Sequence, residues 1–168
     1  PVLFGLPLVL LPVHIVFLEL IIDPACSVVF EAQQEEPDVM KRPPRDAKKR
    51  MFNRRTLELG VIQGLIVLIT VLLVFTISYN RGNSESYARA MTFTTLIVAN
   101  LGLIFSNLSW SKNVLHSIFE KNTALWLVVS GTVLFLLLVL YIPALRGVFQ
   151  MAYLKPIDLT TSVWAGGL

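Results

Sequence analysis

The sequence predicts an all-α fold: a polytopic transmembrane helix bundle of four full membrane helices plus the start of a fifth. Three observations carry this. Of 168 residues, 55% are hydrophobic and 15% charged, against about 25% charged in a soluble domain; mean hydropathy is +0.69. The charges are segregated, since Val61–Asn80, Ala90–Leu108 and Ala124–Leu145 contain no Asp, Glu, Lys or Arg. Uncharged runs of about 20 residues span a bilayer as helices. Polar segments flank these runs, of which one, 31–56, is long and strongly basic.

The first helix is expected from about Leu6 to Val29, within a membrane unit of residues 1–30. It holds two carboxylates, Glu19 and Asp23. A charge at mid-bilayer costs about 2.5–3.5 kcal/mol on insertion scales. At a spacing of four, both lie on one helix face, within reach of one bound ion. Asp23 precedes Pro24, which lacks an N–H, clashes with the Leu20 carbonyl and pushes Asp23 from helical angles. The helix should therefore be interrupted beside its acids, freeing carbonyl oxygens. Broken helices with charged groups near mid-membrane are how many transporters hold ions. The other reading puts one acid at the membrane surface and pairs the other internally. The single cysteine, Cys26, excludes an internal disulfide and is expected to pack as a small apolar residue. His14 and His116 are isolated, without the neighbours of a zinc site, and are expected to pack or to lie at an interface.

Segment 31–56 carries eight basic residues, while the loops 81–89 and 109–122 and the segment 143–157 carry two each. With alternating helices, the first and third connections share a side, ten basic residues against four. The positive-inside rule then makes 31–56 a cytoplasmic basic loop of a multi-pass membrane protein. Pro43-Pro44 stiffens it. Its basic residues either bind anionic headgroups or only fix topology.

Residues 57–168 hold the remaining helices. The second is expected over Leu57–Tyr79, where Gly60 and Gly64 allow close approach of a neighbouring helix. The third, Ala90–Leu108, carries Thr92, Thr94, Thr95 and a mid-helix Asn100. That amide is expected to hydrogen-bond a neighbouring helix or, on the sharper reading, to ligate an ion. The fourth covers Thr123–Ile142. A fifth opens near Asp158, read as its N-cap. The chain starts at Pro1 without a basic leader and ends where an apolar segment begins, so it reads as a fragment without a signal peptide. The net charge of +3 does not imply nucleic acid, because the basic residues adjoin a membrane segment.

The run L-L-P-V-H-I-V-F-L-E-L-I-I-D-P-A-C, followed by Asp38-Val39-Met40-Lys41-Arg42-Pro43-Pro44-Arg45, resembles the type II P-type cation pumps. These include the calcium pumps and the sodium/potassium pump. Their sixth membrane helix carries two ion-binding side chains four apart and leads into an Asp-Ile-Met-x-Arg-x-Pro-Arg-like loop. A-R-A-M-T-F-T-T-L-I-V-A-N, at Ala88–Asn100, is similar to the start of the family's eighth helix, and D-L-T at Asp158–Thr160 to the entry of its tenth.

The resemblance implies helices six to nine and the start of ten. It implies that Asp23 ligates the transported cation, calcium or another. Glu19 falls where calcium pumps have Asn and the sodium/potassium pump has Asp. Ile22 stands where calcium pumps have a ligating Thr, and Asn100 where their eighth helix supplies Glu. Pro24 falls where the family commonly has Gly. One carboxylate-rich site is implied, completed by helices outside this chain. The partners implied are the lipid membrane, cations, the parent's other membrane helices and its phosphorylation domain, which the loop 31–56 would couple to the site. ATP and magnesium belong only to the full-length parent. The chain has neither a D-K-T-G-T motif nor a nucleotide-binding glycine-rich loop, so it is not expected to be catalytic alone. Two alternatives to the pump stand: an ATP-independent ion transporter or channel, and a membrane scaffold whose acids pair with basic residues of partner helices.

Overall fold

The computed structural model describes residues 7–29, 31–32, 40, 54–108 and 123–167, apart from the side chains of 23–26 and 108. Most of the basic loop 31–56, the loop 109–122, His116 and the Cys26 side chain lie outside the described residues. Among the described residues the structure is helical, without strands. Its elements are α1 (Pro12–Pro24) with a π-helical turn (Ala25–Val29), α2 (Arg54–Asn80), α3 (Glu85–Leu108), α4 (Thr123–Tyr141), α5 (Pro143–Phe149) and α6 (Pro156–Gly166). Four spans are long and apolar enough to cross a membrane: Pro12–Val29, Arg54–Asn80, Glu85–Asn107 and Thr123–Tyr141.

Each departure from the sequence reading has a local cause. α1 begins at Pro12 rather than Leu6, because a proline's fixed φ and missing N–H suit the first helical position. The chain is not interrupted at Pro24. It widens there, from α to a π turn that begins at Ala25, two positions after Asp23, beside Pro24, which has no N–H to give the Leu20 carbonyl. α3 starts five residues before its uncharged run. Ser84 caps it, its Oγ accepting from Tyr87 N–H at 3.3 Å, which satisfies a donor the first turn leaves free. α5 forms inside the segment read as a connection. Pro143 opens it, and Gln150 closes it with φ of 48°. Met151 N–H then reaches the Arg146 carbonyl at 3.0 Å and Gln150 N–H that of Gly147 at 3.3 Å, the paired closure of a left-handed helix end. Asp158 is not the N-cap of α6; Lys155 is, with Pro156 entering the helix.

α3 is the central element. It packs against α2 and α6 and also touches α1 and α4. Sixty-one per cent of its membrane window is buried, against 11% for α2, so α2 is peripheral within this chain. An aromatic cluster sits within a largely aliphatic core. Phe17 of α1 stacks on Phe135 of α4 at 4.3 Å between centroids, and meets Phe93 of α3 and Phe149 of α5 at 5.8 Å each. In a bilayer such contacts act through close packing, since lipid tails are as apolar as the side chains.

Close helix approach occurs away from the Gly60/Gly64 pair. A Cβ at either of those glycines would meet nothing within 4 Å. At Gly166 of α6 it would lie 2.6 Å from the Thr95 carbonyl oxygen and 2.9 Å from Val98 Cβ. The α3–α6 contact therefore depends on a missing side chain.

Candidate ion site and the polar tie beside it

α1 has two faces. His14, Phe17 and Val29 are buried against the bundle, while Ile15, Val16, Glu19, Leu20 and Ile22 are exposed. Glu19 thus lies on the outer face, turned from the aromatic cluster. Among the described residues its carboxylate makes no hydrogen bond or ion pair. Asp23 belongs to α1 by its backbone, four residues after Glu19 and immediately before Pro24; its side chain lies outside the described residues. Residues four apart on an α-helix share a face, which puts Asp23 in register with Glu19.

Asn100 sits at mid-α3, half-buried. It was expected to bond a neighbouring helix, but among the described residues its amide makes no side-chain hydrogen bond. The neighbouring threonines bond within their own helix: Thr92, Thr94 and Thr95 donate to the carbonyls of Ala88, Ala90 and Met91 at 2.7, 2.8 and 2.9 Å. Such back-bonding satisfies a hydroxyl without an interhelical partner. Among the described residues no cluster of three His, Cys, Asp or Glu forms. Glu19 and Asn100 are not joined to each other.

What the sequence did not reveal is a polar tie at the Arg81 end of α3. His14 is fully buried. Its Nδ1 accepts from Leu11 N–H at 3.0 Å, and its Nε2 lies 2.8 Å from the Phe149 carbonyl. A backbone N–H can only donate and a carbonyl only accept, so the ring is neutral with its proton on Nε2. The first contact caps α1 from within its first turn, and the second reaches across 135 residues to α5. Arg89, also buried, donates to the carbonyls of Gln150 at 3.1 Å and Leu8 at 3.2 Å, with Glu85 at 4.0 Å. Its Nε is buried without a partner. The fold places Arg89 inside α3, where the sequence reading had a loop. The only signal in the sequence is that these polar residues border apolar runs.

Replacing His14 with Leu leaves the Leu11 N–H and the Phe149 carbonyl unpaired in an apolar site. The expected cost is about 2–4 kcal/mol. A thermal unfolding midpoint of the intact protein in detergent that does not fall would show the tie to be dispensable. His14→Gln, which can both accept and donate, should recover part of the loss.

The family described as "Cation transporting ATPase, C-terminus" matches residues 7–168. The chain is 32% identical over 161 residues to a calcium-transporting ATPase of Bacillus subtilis (strain 168), covering 93% of this chain and 18% of that protein. It is 25% identical over 168 residues to calcium-transporting ATPase 1 of Yarrowia lipolytica, covering 96% of this chain and 18% of the relative. To the human calcium-transporting ATPase type 2C member 1 it is 25% identical over 157 residues, 94% of this chain and 17% of the relative. It therefore spans less than a fifth of the length of these relatives.

Proposed function

The chain belongs to the family of cation-transporting ATPase C-terminal regions, and from that premise we propose that it contributes the ion-site acids of an ATP-driven cation pump. The cargo is calcium, following the names of the relatives. Glu19 and Asp23 are the anionic ligands and Asn100 a neutral oxygen donor. Hard oxygen ligands suit this cation. The observation that carries the reading is the position of the acids: one helical turn apart, directly before the change from α to π geometry. π turns inside helices frequently mark functional sites.

Further support comes from what the acids do not do. No Lys or Arg lies within 12–29, and among the described residues Glu19 is uncommitted on an exposed face. A carboxylate in a membrane needs a cation, a proton or a partner. The remaining ligands come from parent helices beyond this chain, and the parent's own domains carry out the ATP chemistry.

The test is phosphoenzyme formation from ATP by the full-length protein against calcium, with manganese, magnesium and sodium as alternatives. Calcium-dependent phosphorylation is expected. Phosphorylation driven only by another cation would overturn the cargo, and none under any cation would overturn the pump.

The loop 31–56 faces the cytoplasm in this reading and couples the site to the phosphorylation domain. Cysteines introduced at Ala47 and Ser84 of the full-length protein, in a background from which Cys26 and any other native cysteine have been replaced, should react with impermeant reagent from opposite sides of the membrane. Reaction of both from the same side would refute the topology.

A further inference from the structure

A cavity of about 240 Å³ opens between the Arg81 end of α2, the first turns of α3 and one side of α6. Arg81 and Asp158 both line it, with Ser78, Asn83 and Thr161 between them and Val74 and Ile77 on its apolar side. The two opposite charges are not joined: among the described residues Arg81 makes no ion pair. Asp158 is held in place by the Tyr87 hydroxyl, which donates to one carboxylate oxygen and leaves the other available. Asn83 donates one amide hydrogen to Ser78 at 3.3 Å and keeps its second. Arg81 immediately follows the membrane span of α2, so the cavity lies at the level of the lipid headgroups.

We propose that this cavity binds the headgroup of a zwitterionic, primary-amine phospholipid of the phosphatidylethanolamine type. The ammonium donates to the free Asp158 oxygen, and the phosphate accepts from the Arg81 guanidinium and the spare Asn83 N–H. Both are charge-assisted hydrogen bonds. The acyl chains leave along Val74 and Ile77, of which Ile77 is exposed. The volume is below the about 300–1,000 Å³ usual for a whole small-molecule ligand, as suits a headgroup whose chains lie outside. A purely anionic lipid fits less well, because Asp158 would face its negative charge. A choline headgroup satisfies the charges but brings no N–H for the carboxylate.

The test is lipid retention by the full-length protein, purified from vesicles of equal phosphatidylethanolamine, phosphatidylcholine and phosphatidylglycerol and read by native mass spectrometry. It requires no transport and so stands or falls apart from the pump reading. Retention of the ethanolamine lipid is expected. Arg81→Gln and Asp158→Asn should each reduce it about tenfold, the loss expected from one charge-assisted contact. Tyr87→Phe removes the hydroxyl but keeps both charges, and should retain the lipid. Four outcomes overturn the proposal: equal retention in wild type and both charge variants, preference for the glycerol or choline lipid, loss in Tyr87→Phe equal to that in Asp158→Asn, or no retained lipid.

Discussion

Asp23→Asn in the full-length protein is expected to abolish calcium-dependent phosphorylation at physiological ion levels. The substitution keeps side-chain volume and one oxygen and removes only the charge. Asp23 precedes Pro24, whose missing N–H leaves the Leu20 carbonyl without its usual α-helical partner, so carboxylate and backbone oxygen can act together. Losing one partner of a desolvated charge pair costs about 3 kcal/mol or more, which is at least a hundredfold in affinity. Glu19→Gln should weaken the response or move its pH dependence, because Glu19 lies one turn further from the π turn. Asn100→Ala should cost about fivefold, as for a neutral hydrogen-bonding group. The readout is phosphoenzyme level against free calcium. Near-normal calcium dependence in Asp23→Asn makes the acid pair structural, and the proposed site fails.

The second large effect is expected at Gly166. An added Cβ would sit 2.6 Å from the Thr95 carbonyl oxygen and 3.1 Å from Ala99 N. These are backbone atoms of a buried helix and cannot rotate away. Gly166→Ala must push α6 from α3, at a cost of about 2–3 kcal/mol for overpacking. Gly166→Leu should prevent docking altogether. Gly147→Ala is the control, since its Cβ meets nothing within 4 Å and alanine is the better helix former. Equal thermal unfolding midpoints for Gly166→Ala and Gly147→Ala would refute the close contact.

The helices were legible because a bilayer enforces a simple rule, a run of about 20 residues without charge. The same rule hid their ends. Glu85 and Arg89 are charged, yet they belong to α3 because Ser84 caps it and Arg89 finds backbone carbonyls to bond. α5 and the start of α6 lie in the segment 143–157, read as a connection, whereas Pro143 and Pro156 each begin a helix. Asp158 looked like a cap; its carboxylate instead serves Tyr87 on another helix, a pairing that local sequence does not encode. The glycine spacing at Gly60 and Gly64 meets no close neighbour among the described residues, because spacing marks where close approach is allowed and only the assembled bundle decides where it happens. Of the candidate site, the register of Glu19 and Asp23 and the irregularity beside Pro24 were readable from spacing and proline chemistry. The relation of Asn100 to the acids was not, because it depends on how α1 and α3 pack.

The contact between His14 and Phe149 also sets an order of events during synthesis. Membrane helices enter the bilayer one after another and associate afterwards. The first turn of α1 is finished by a carbonyl that lies 135 residues downstream, and Arg89 likewise needs the carbonyl of Gln150. Neither bond can form until α5 has left the ribosome. The segment bearing the acids is thus among the first of this chain to be inserted and the last to be fastened.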